Sequence, residues 1–139
     1  MPVKYSVVDG GRLVVVRWVG AITRRELVAH LKALAADERL VPGAVQFSDL
    51  RQAWLPRMGL DDLQQLFSGS RHPTRKLALL IKAESWPQVR AAEVEVEHPD
   101  IEVACFNMLN HDQEIPAACT WLRVDPELVE AELARLTFS

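Results

Sequence analysis

Four short runs of apolar residues, each closed by charged or turn-forming residues, constrain the fold of this chain more than any other feature. They lie at residues 13–16, 44–48, 77–81 and 101–106. Each run has the length of a buried β-strand and is far shorter than the ~20 apolar residues that a membrane-spanning helix requires. Strands that are apolar along their whole length are typical of parallel sheets covered by helices on both faces. We therefore predict a mainly parallel sheet and no integral membrane segment.

The start of the chain has a different strand pattern. Residues 3–8 alternate between apolar and polar side chains, and Asp9, Gly10 and Gly11 separate them from a β-branched run at 13–19. Asp and Gly tolerate the positive φ angles that tight hairpin turns need. These two segments are therefore predicted to pair as an antiparallel hairpin.

Helical spacing fills the connections between the predicted strands. Thr23 and Glu26 have the spacing of a capping box, and they open a helix whose apolar face carries Leu27, Leu31 and Leu34. His30 flanks this face and is predicted to be a half-buried surface residue. Further helices are predicted at residues 59–67, from residue 85 to about 97, from residue 110 or 112 to 122, and at 125–136.

The order of these elements predicts an α/β fold: an N-terminal β-hairpin, then alternating helices and strands that form a mixed, mainly parallel sheet covered by helices. One domain accounts for all 139 residues, with its core in residues 3–122 and an extra C-terminal helix at about 125–136. Residues 93–97 fit an exposed strand as well as a helix end, and their apolar spacing favours the helix. The predicted core includes Val15, Leu27, Leu31, Leu34, Phe47, Leu63, Leu79, Ile81, Val103, Phe106 and Leu122.

Composition and motif content exclude several classes of function. The chain has 16 basic and 19 acidic residues, and its basic stretch at 71–76 lacks interleaved aromatic residues, so we predict no nucleic-acid binding. Two cysteines and no signal-peptide pattern favour a reducing, cytoplasmic location. We find no phosphate-binding glycine motif, no metal-ligand spacing and no nucleophile with a base. The sequence therefore predicts no cofactor, no metal and no enzyme activity.

Polar residues at the carboxyl end of the third predicted strand are candidates for a functional site. Asp49 and Arg51 follow the apolar run at 44–48, and ligand sites in open α/β sheets lie at such strand ends. A structural role is the stronger alternative, in which Asp49 bonds loop amides and Arg51 pairs with a surface acid.

Trp54 is the best indication of a partner site. It is followed by Leu55, Arg57 and Met58 in a Pro-containing segment that is predicted to be a loop. A tryptophan in a loop either packs onto the core or anchors a partner. We favour an exposed apolar patch of Trp54, Leu55 and Met58 that binds a protein partner or a second copy of the chain in a symmetric dimer.

A family resemblance rests on motifs that span most of residues 3–122. The motifs are Leu13-Val14-Val15-Val16, Gly20-Ala21-Ile22-Thr23, Gln46-Phe47-Ser48-Asp49-Leu50-Arg51 and Ala117-Ala118-Cys119-Thr120-Trp121-Leu122. In this layout the chain resembles the STAS domain and is most similar to the SpoIIAA-like group of small bacterial proteins, which are related in fold to the SEC14 lipid-binding domain. The resemblance implies a non-enzymatic regulatory or protein-interaction module. Its alternative implication is a binder of a small apolar ligand or lipid.

One feature of the STAS family is missing. Its anti-sigma-factor antagonists carry a phosphorylatable Ser or Thr in the loop after the third strand. Residues 52–59 contain no hydroxyl side chain here, and the nearest, Ser48, lies within the predicted strand. We therefore predict that the usual phosphorylation switch is absent.

Overall fold

The computed structural model describes residues 3–54, 73–81, 101–107 and 114–137. The predicted helices at 59–67 and from residue 85 lie outside these ranges, and so does the 93–97 segment. The same is true of the candidate residues Leu55, Arg57 and Met58, and of the predicted core residue Leu63.

In these ranges, five strands form one mixed sheet in the order β1-β2-β3-β4-β5. They are β1 (Val3–Val8), β2 (Leu13–Ala21), β3 (Val45–Trp54), β4 (Lys76–Ile81) and β5 (Glu102–Asn107). β1 pairs with β2 in antiparallel fashion, and every other neighbouring pair is parallel. The predicted α/β fold with an N-terminal hairpin and a mainly parallel sheet is confirmed at this level.

The hairpin turn depends on positive φ angles at three successive residues. Asp9, Gly10 and Gly11 have φ angles of 54°, 65° and 89°. Gly11 is also required for space, because a Cβ atom there would clash with the carbonyl oxygen of Arg39. The sequence signal for this turn therefore reflects both backbone conformation and close approach of the chain.

Three helices lie in the described part of the chain: α1 (Arg24–Ala35), α2 (Glu114–Leu122) and α3 (Pro126–Arg135). The capping box of α1 is present, since the Glu26 amide donates to Thr23 Oγ1 and the Thr23 amide donates to Glu26 Oε1. Asp125 caps α3 by accepting from the Glu127 amide at 2.9 Å. These helix starts were predicted from local sequence and are confirmed. None of the described helices is long and apolar enough to cross a membrane.

The helices cover the two faces of the sheet in separate layers. One core cluster, on the side of α1, includes Val14, Val16, Trp18, Leu34, Leu77, Leu79 and Ile81. The other, on the side of α2 and α3, includes Leu13, Val15, Phe47, Leu80, Cys119, Leu122, Val129 and Leu133. Adjacent residues of β2 alternate between the clusters, as expected for a strand buried on both faces.

The inward side of α1 differs from the prediction by one residue. His30 and Leu34 are buried and Leu27 packs against the core, whereas Leu31 is only partly buried. The predictions that Leu31 lies in the core and that His30 is a half-buried surface residue are therefore wrong. Positions 27, 30 and 34 fit a helical period as well as 27, 31 and 34, and the polarity of histidine favoured the second set. Val103 and Phe106 are also only partly buried.

β3 is twice as long as the predicted strand at 44–48. It continues to Trp54 because it pairs with β2 as far as Ala21 opposite Trp54. Its pairing with β4 runs only from Val45 to Asp49. Trp54 is therefore the last residue of a strand, and its assignment to a loop is wrong. Polar residues after position 48 suggested a loop, but pairing with β2 determines the backbone here.

Candidate functional site

A β-bulge arranges the side chains at the carboxyl end of β2 and β3. Arg17 pairs with Asp49, but the next aligned pair is Val19 with Gln52, so β3 has one extra residue in this stretch. Since side chains alternate along a strand, the extra residue places Asp49, Gln52 and Trp54 on the same face of the sheet. This is the face that α2 and α3 cover further along the strands.

Beyond the bulge, this face forms a small surface that we call the β2–β3 end surface. It consists of Val19, Ala21, Gln52 and Trp54. Ala21 and Gln52 are exposed, and 50% of Trp54 is accessible to solvent. In the described ranges, Trp54 and Val41 are the large hydrophobic residues that remain exposed. The prediction of an exposed Trp54 thus agrees with the structure, although the residue lies on a strand.

The backbone beneath the Trp54 ring is held in place. The Trp54 carbonyl oxygen accepts a hydrogen bond of 2.8 Å from the Ile22 amide, just before α1 begins. Ile22 itself is fully buried. The exposed indole therefore extends from a strand that is anchored to the core, and the backbone that carries it would lose little conformational freedom on binding a partner.

Asp49 and Arg51 form a two-point ion pair at the edge of this surface. Arg51 donates from Nε to Asp49 Oδ1 at 2.9 Å and from Nη2 to Oδ2 at 2.8 Å. The Arg51 backbone amide also donates to Oδ1, at 3.1 Å. The Asp49 side chain is 3% exposed and that of Arg51 is 29% exposed, and hydrogen bonding to Asp49 raises the pKa of Arg51. Asp49 therefore holds Arg51 in position, and of this pair Arg51 reaches the surface.

Arg17 connects the site to α3 and was missed by the sequence analysis. Its Nε lies 4.0 Å from Asp49 Oδ2, and its Nη1 donates to the carbonyls of Leu133 and Leu136 at 3.2 and 3.3 Å. A guanidinium at the C-terminal end of a helix is favoured by the helix dipole. The sequence contained a signal for this role. Arg17 directly follows an apolar run within β2, and burying a charged side chain there costs free energy unless a partner compensates it.

The surroundings of the β2–β3 end surface carry positive charge. Lys4 lies opposite Arg17 in the register of β1 and β2, and its Nζ donates to the Thr137 carbonyl at 2.7 Å. Among the described residues at this end, Lys4, Arg17 and Arg51 are positively charged and Asp49 is negatively charged. The whole chain has a net charge of −3. This end of the molecule therefore combines an exposed aromatic ring with a local excess of cations.

A second polar group lies inside the protein, between α1 and the sheet. Gln46 Nε2 donates to Ser48 Oγ at 2.9 Å and lies 3.5 Å from His30 Nε2, while Thr74 Oγ1 donates to Gln46 Oε1 at 3.4 Å. All four residues are buried. Their hydrogen bonds offset the cost of burying polar groups, so this cluster is structural.

His30 lies between two aromatic rings in that cluster. Its ring forms T-shaped contacts with Tyr5 and Trp18 at centroid distances of 5.7 and 5.1 Å. Burial lowers the pKa of His30 to about 4. The imidazole is therefore neutral near pH 7 and enclosed by the core.

The remaining candidates for chemistry are also buried. Cys105 and Cys119 are not joined by a disulfide, and burial raises the pKa of the Cys119 thiol to about 11. The nearby acids Glu130 and Asp125 contribute to this raised pKa, but less than burial does. A thiol with this pKa is a poor nucleophile at neutral pH. In the part of the chain that the structure describes, no group of three or more His, Cys, Asp or Glu residues could hold a metal ion.

Ser48 should not become phosphorylated in the folded protein. Its side chain is buried in the middle of β3, and its Oγ accepts a hydrogen bond from Gln46. A kinase would have to pull the strand out of the sheet to reach this hydroxyl. We expect no phosphate on Ser48 after incubation with host lysate and ATP, as measured by phosphosite mapping. Stoichiometric modification of Ser48 in protein that stays folded would contradict this expectation.

A comparison of the chain with models of known protein families and with curated proteins finds no match. The similarity to the STAS domain therefore rests on the motifs alone.

Proposed function

We propose that the protein is a non-enzymatic, STAS-like regulatory module that binds a protein partner through the β2–β3 end surface, without the usual phosphorylatable serine loop. The observation that carries this proposal is the half-exposed Trp54 on an anchored strand. Tryptophan and arginine are enriched among the residues that dominate binding energy at interfaces. At the end of β3, Trp54 lies three residues after the partly exposed Arg51.

The charge around Trp54 favours an acidic partner. Arg51 is held by Asp49 with its side chain 29% exposed, so its outer edge can meet a carboxylate without any rearrangement. Asp49 is buried and its oxygens are occupied by Arg51, so it supports the surface without contacting the partner. The fitting partner is a protein segment with acidic residues beside an apolar side chain, which would cover the indole.

Replacing Trp54 with alanine should remove binding and leave the fold intact. Because the ring is half exposed, the free energy of unfolding should change by less than about 1 kcal/mol, compared with ~3–5 kcal/mol for a buried tryptophan. Thermal unfolding measures the change in stability. Quantitative mass spectrometry of proteins captured from host lysate measures the loss of binding.

Val41→Ala is the matched control, since Val41 is the other large exposed hydrophobic residue of the described chain and lies at the opposite end of the sheet. Proteins captured by the wild type and by Val41→Ala should be lost with Trp54→Ala, and their capture should weaken with salt. Equal capture by all three proteins would overturn the proposal. A small molecule retained in native mass spectrometry would instead favour a binder of an apolar ligand.

A further inference from the structure

The hairpin strand β1 forms one edge of the sheet. It pairs with β2 through six consecutive residue pairs, from Val3 opposite Trp18 to Val8 opposite Leu13, and has no other neighbour among the described strands. An edge strand presents one row of backbone N–H and C=O groups that another strand can pair with. A strand of six residues is long enough to form a regular ladder.

Two of the usual features that prevent edge pairing, a bulge and a proline, are absent from β1. Its register with β2 contains no bulge, and Val3–Val8 contains no proline. Its one charged residue is Lys4, and the Lys4 ammonium is turned toward the Thr137 carbonyl on α3's side of the sheet. Natural edge strands avoid association with charges, prolines or bulges. In β1 the one charge is directed to the Thr137 carbonyl, so within the described part of the chain this edge is open to pairing.

A second copy of β1 is a complementary occupant of this edge. A twofold axis through Ser6 would place Ser6 opposite Ser6, Tyr5 opposite Val7 and Lys4 opposite Val8. Residues that face each other are then on the same face of the joined sheet, as antiparallel pairing requires. This register also brings Lys4 of each copy within one residue of Asp9 of the other, and Asp9 is exposed.

Charge distinguishes this register from its nearest alternative. An axis through Tyr5 would place Lys4 opposite Ser6 and the two Lys4 residues diagonal to each other. Like charges on this diagonal are unfavourable across strands. The Ser6 register separates the two Lys4 residues and brings each of them nearer to an opposite charge, Asp9 of the other copy. We propose that two copies of the chain join through antiparallel β1–β1 pairing centred on Ser6, which merges two five-stranded sheets into one.

Cysteine cross-linking tests both the pairing and its register. Ser6→Cys should form a disulfide-linked dimer under mild oxidation, because directly opposed strand residues have Cα separations that suit a disulfide. Lys4→Cys and Val8→Cys should not cross-link when alone, and should cross-link when mixed. The native cysteines Cys105 and Cys119 are buried and should not interfere. Wild-type protein should sediment as a monomer at low concentration and shift toward a dimer as concentration rises, since a six-residue ladder alone is a small interface.

Wild-type protein that stays monomeric at every concentration, with Ser6→Cys folded but not cross-linked, would overturn the proposal. Cross-linking by Tyr5→Cys in place of Ser6→Cys would overturn the Ser6 register. Trp54→Ala should dimerise like the wild type, because β1 pairing does not use the β2–β3 end surface. Failure of the dimer is thereby distinguishable from failure of the proposed partner site.

Discussion

Replacing Asp49 with alanine should lower the free energy of unfolding by about 3 kcal/mol. The substitution leaves the Arg51 guanidinium without its two-point partner and the nearby Arg17 without its only close carboxylate in the described ranges. Removing one member of a buried ion pair typically costs 3–5 kcal/mol. We expect the lower end of this range because the side chains of Arg17 and Arg51 are 20% and 29% exposed. Water can therefore partly solvate both guanidinium groups once Asp49 is removed.

The chain contains a matched control for this experiment. Asp37 and Arg39 repeat the same arrangement two residues apart: Arg39 Nε and its backbone amide donate to Asp37 Oδ1 at 2.9 and 3.0 Å, and Nη2 donates to Oδ2 at 2.6 Å. Here the Arg39 side chain is 63% exposed. Asp37 itself is 9% exposed and also accepts from the Tyr5 hydroxyl at 3.0 Å, so the main difference from the Asp49 pair lies in the arginine. Because the Arg39 guanidinium remains in water when its partner is removed, Asp37→Ala should destabilise less than Asp49→Ala.

Urea titration of the two variants and the wild type gives the comparison. Similar losses at Asp37 and Asp49 would show that burial does not set the strength of the Asp49–Arg51 pair. In that case Asp49 would not be the support that holds Arg51 in place beside Trp54. Arg51→Ala should cost less than Asp49→Ala if water reaches the carboxylate once the guanidinium is removed.

Local signals predicted the parts of the fold that depend on neighbouring residues. The Thr23–Glu26 capping box, the Asp125 cap and the Asp9–Gly11 turn were each predicted from a few adjacent residues, and each is confirmed. Apolar runs predicted where the buried strands lie. In these segments the hydrogen bonds or packing that fix the backbone are encoded within one short stretch of sequence.

The parts that were missed depend on residues distant in sequence. β3 reaches Trp54 only because β2 offers a partner as far as Ala21, and no pattern within 49–54 contains that information. The bulge opposite Arg17 likewise arises from pairing, and it decides that Trp54 shares a face with Asp49. The sequence therefore identified Asp49, Arg51 and Trp54 singly, whereas the placement of Asp49 and Trp54 on one face depends on the register of two strands.

The stability of the protein should fall as the pH is lowered from 6.5 toward 4, because His30 is buried in its neutral form. Burial lowers its pKa to about 4, from 6.5 for an exposed histidine. The unfolded chain therefore takes up a proton in this range while the folded protein does not, which favours unfolding. The contribution of His30 is fully present above pH 6.5, falls by about 2 kcal/mol at pH 5, and falls by about 3 kcal/mol once both states are protonated.

The groups around His30 give a protonated imidazole little compensation. It faces the rings of Tyr5 and Trp18 and the amide of Gln46. The nearest carboxylate in this set of contacts is Asp37, which accepts from the Tyr5 hydroxyl at 3.0 Å. Hydrogen bonds from Arg39 hold the pKa of Asp37 well below its usual 3.8, so its own contribution is lost mainly below the His30 range.

His30→Gln separates the effect of this histidine from that of every other titrating group. Glutamine keeps a hydrogen-bonding partner for Gln46 but carries no titratable proton between pH 4 and 8. Urea titrations of both proteins at pH 8, 6.5 and 5 should give a wild-type profile that falls more steeply, by about 2 kcal/mol over this range. The three histidines outside the described residues and all carboxylates are common to both proteins, so they cancel in the difference. Parallel profiles would mean that His30 accepts a proton in the folded state, and that α1 does not seal it against the sheet.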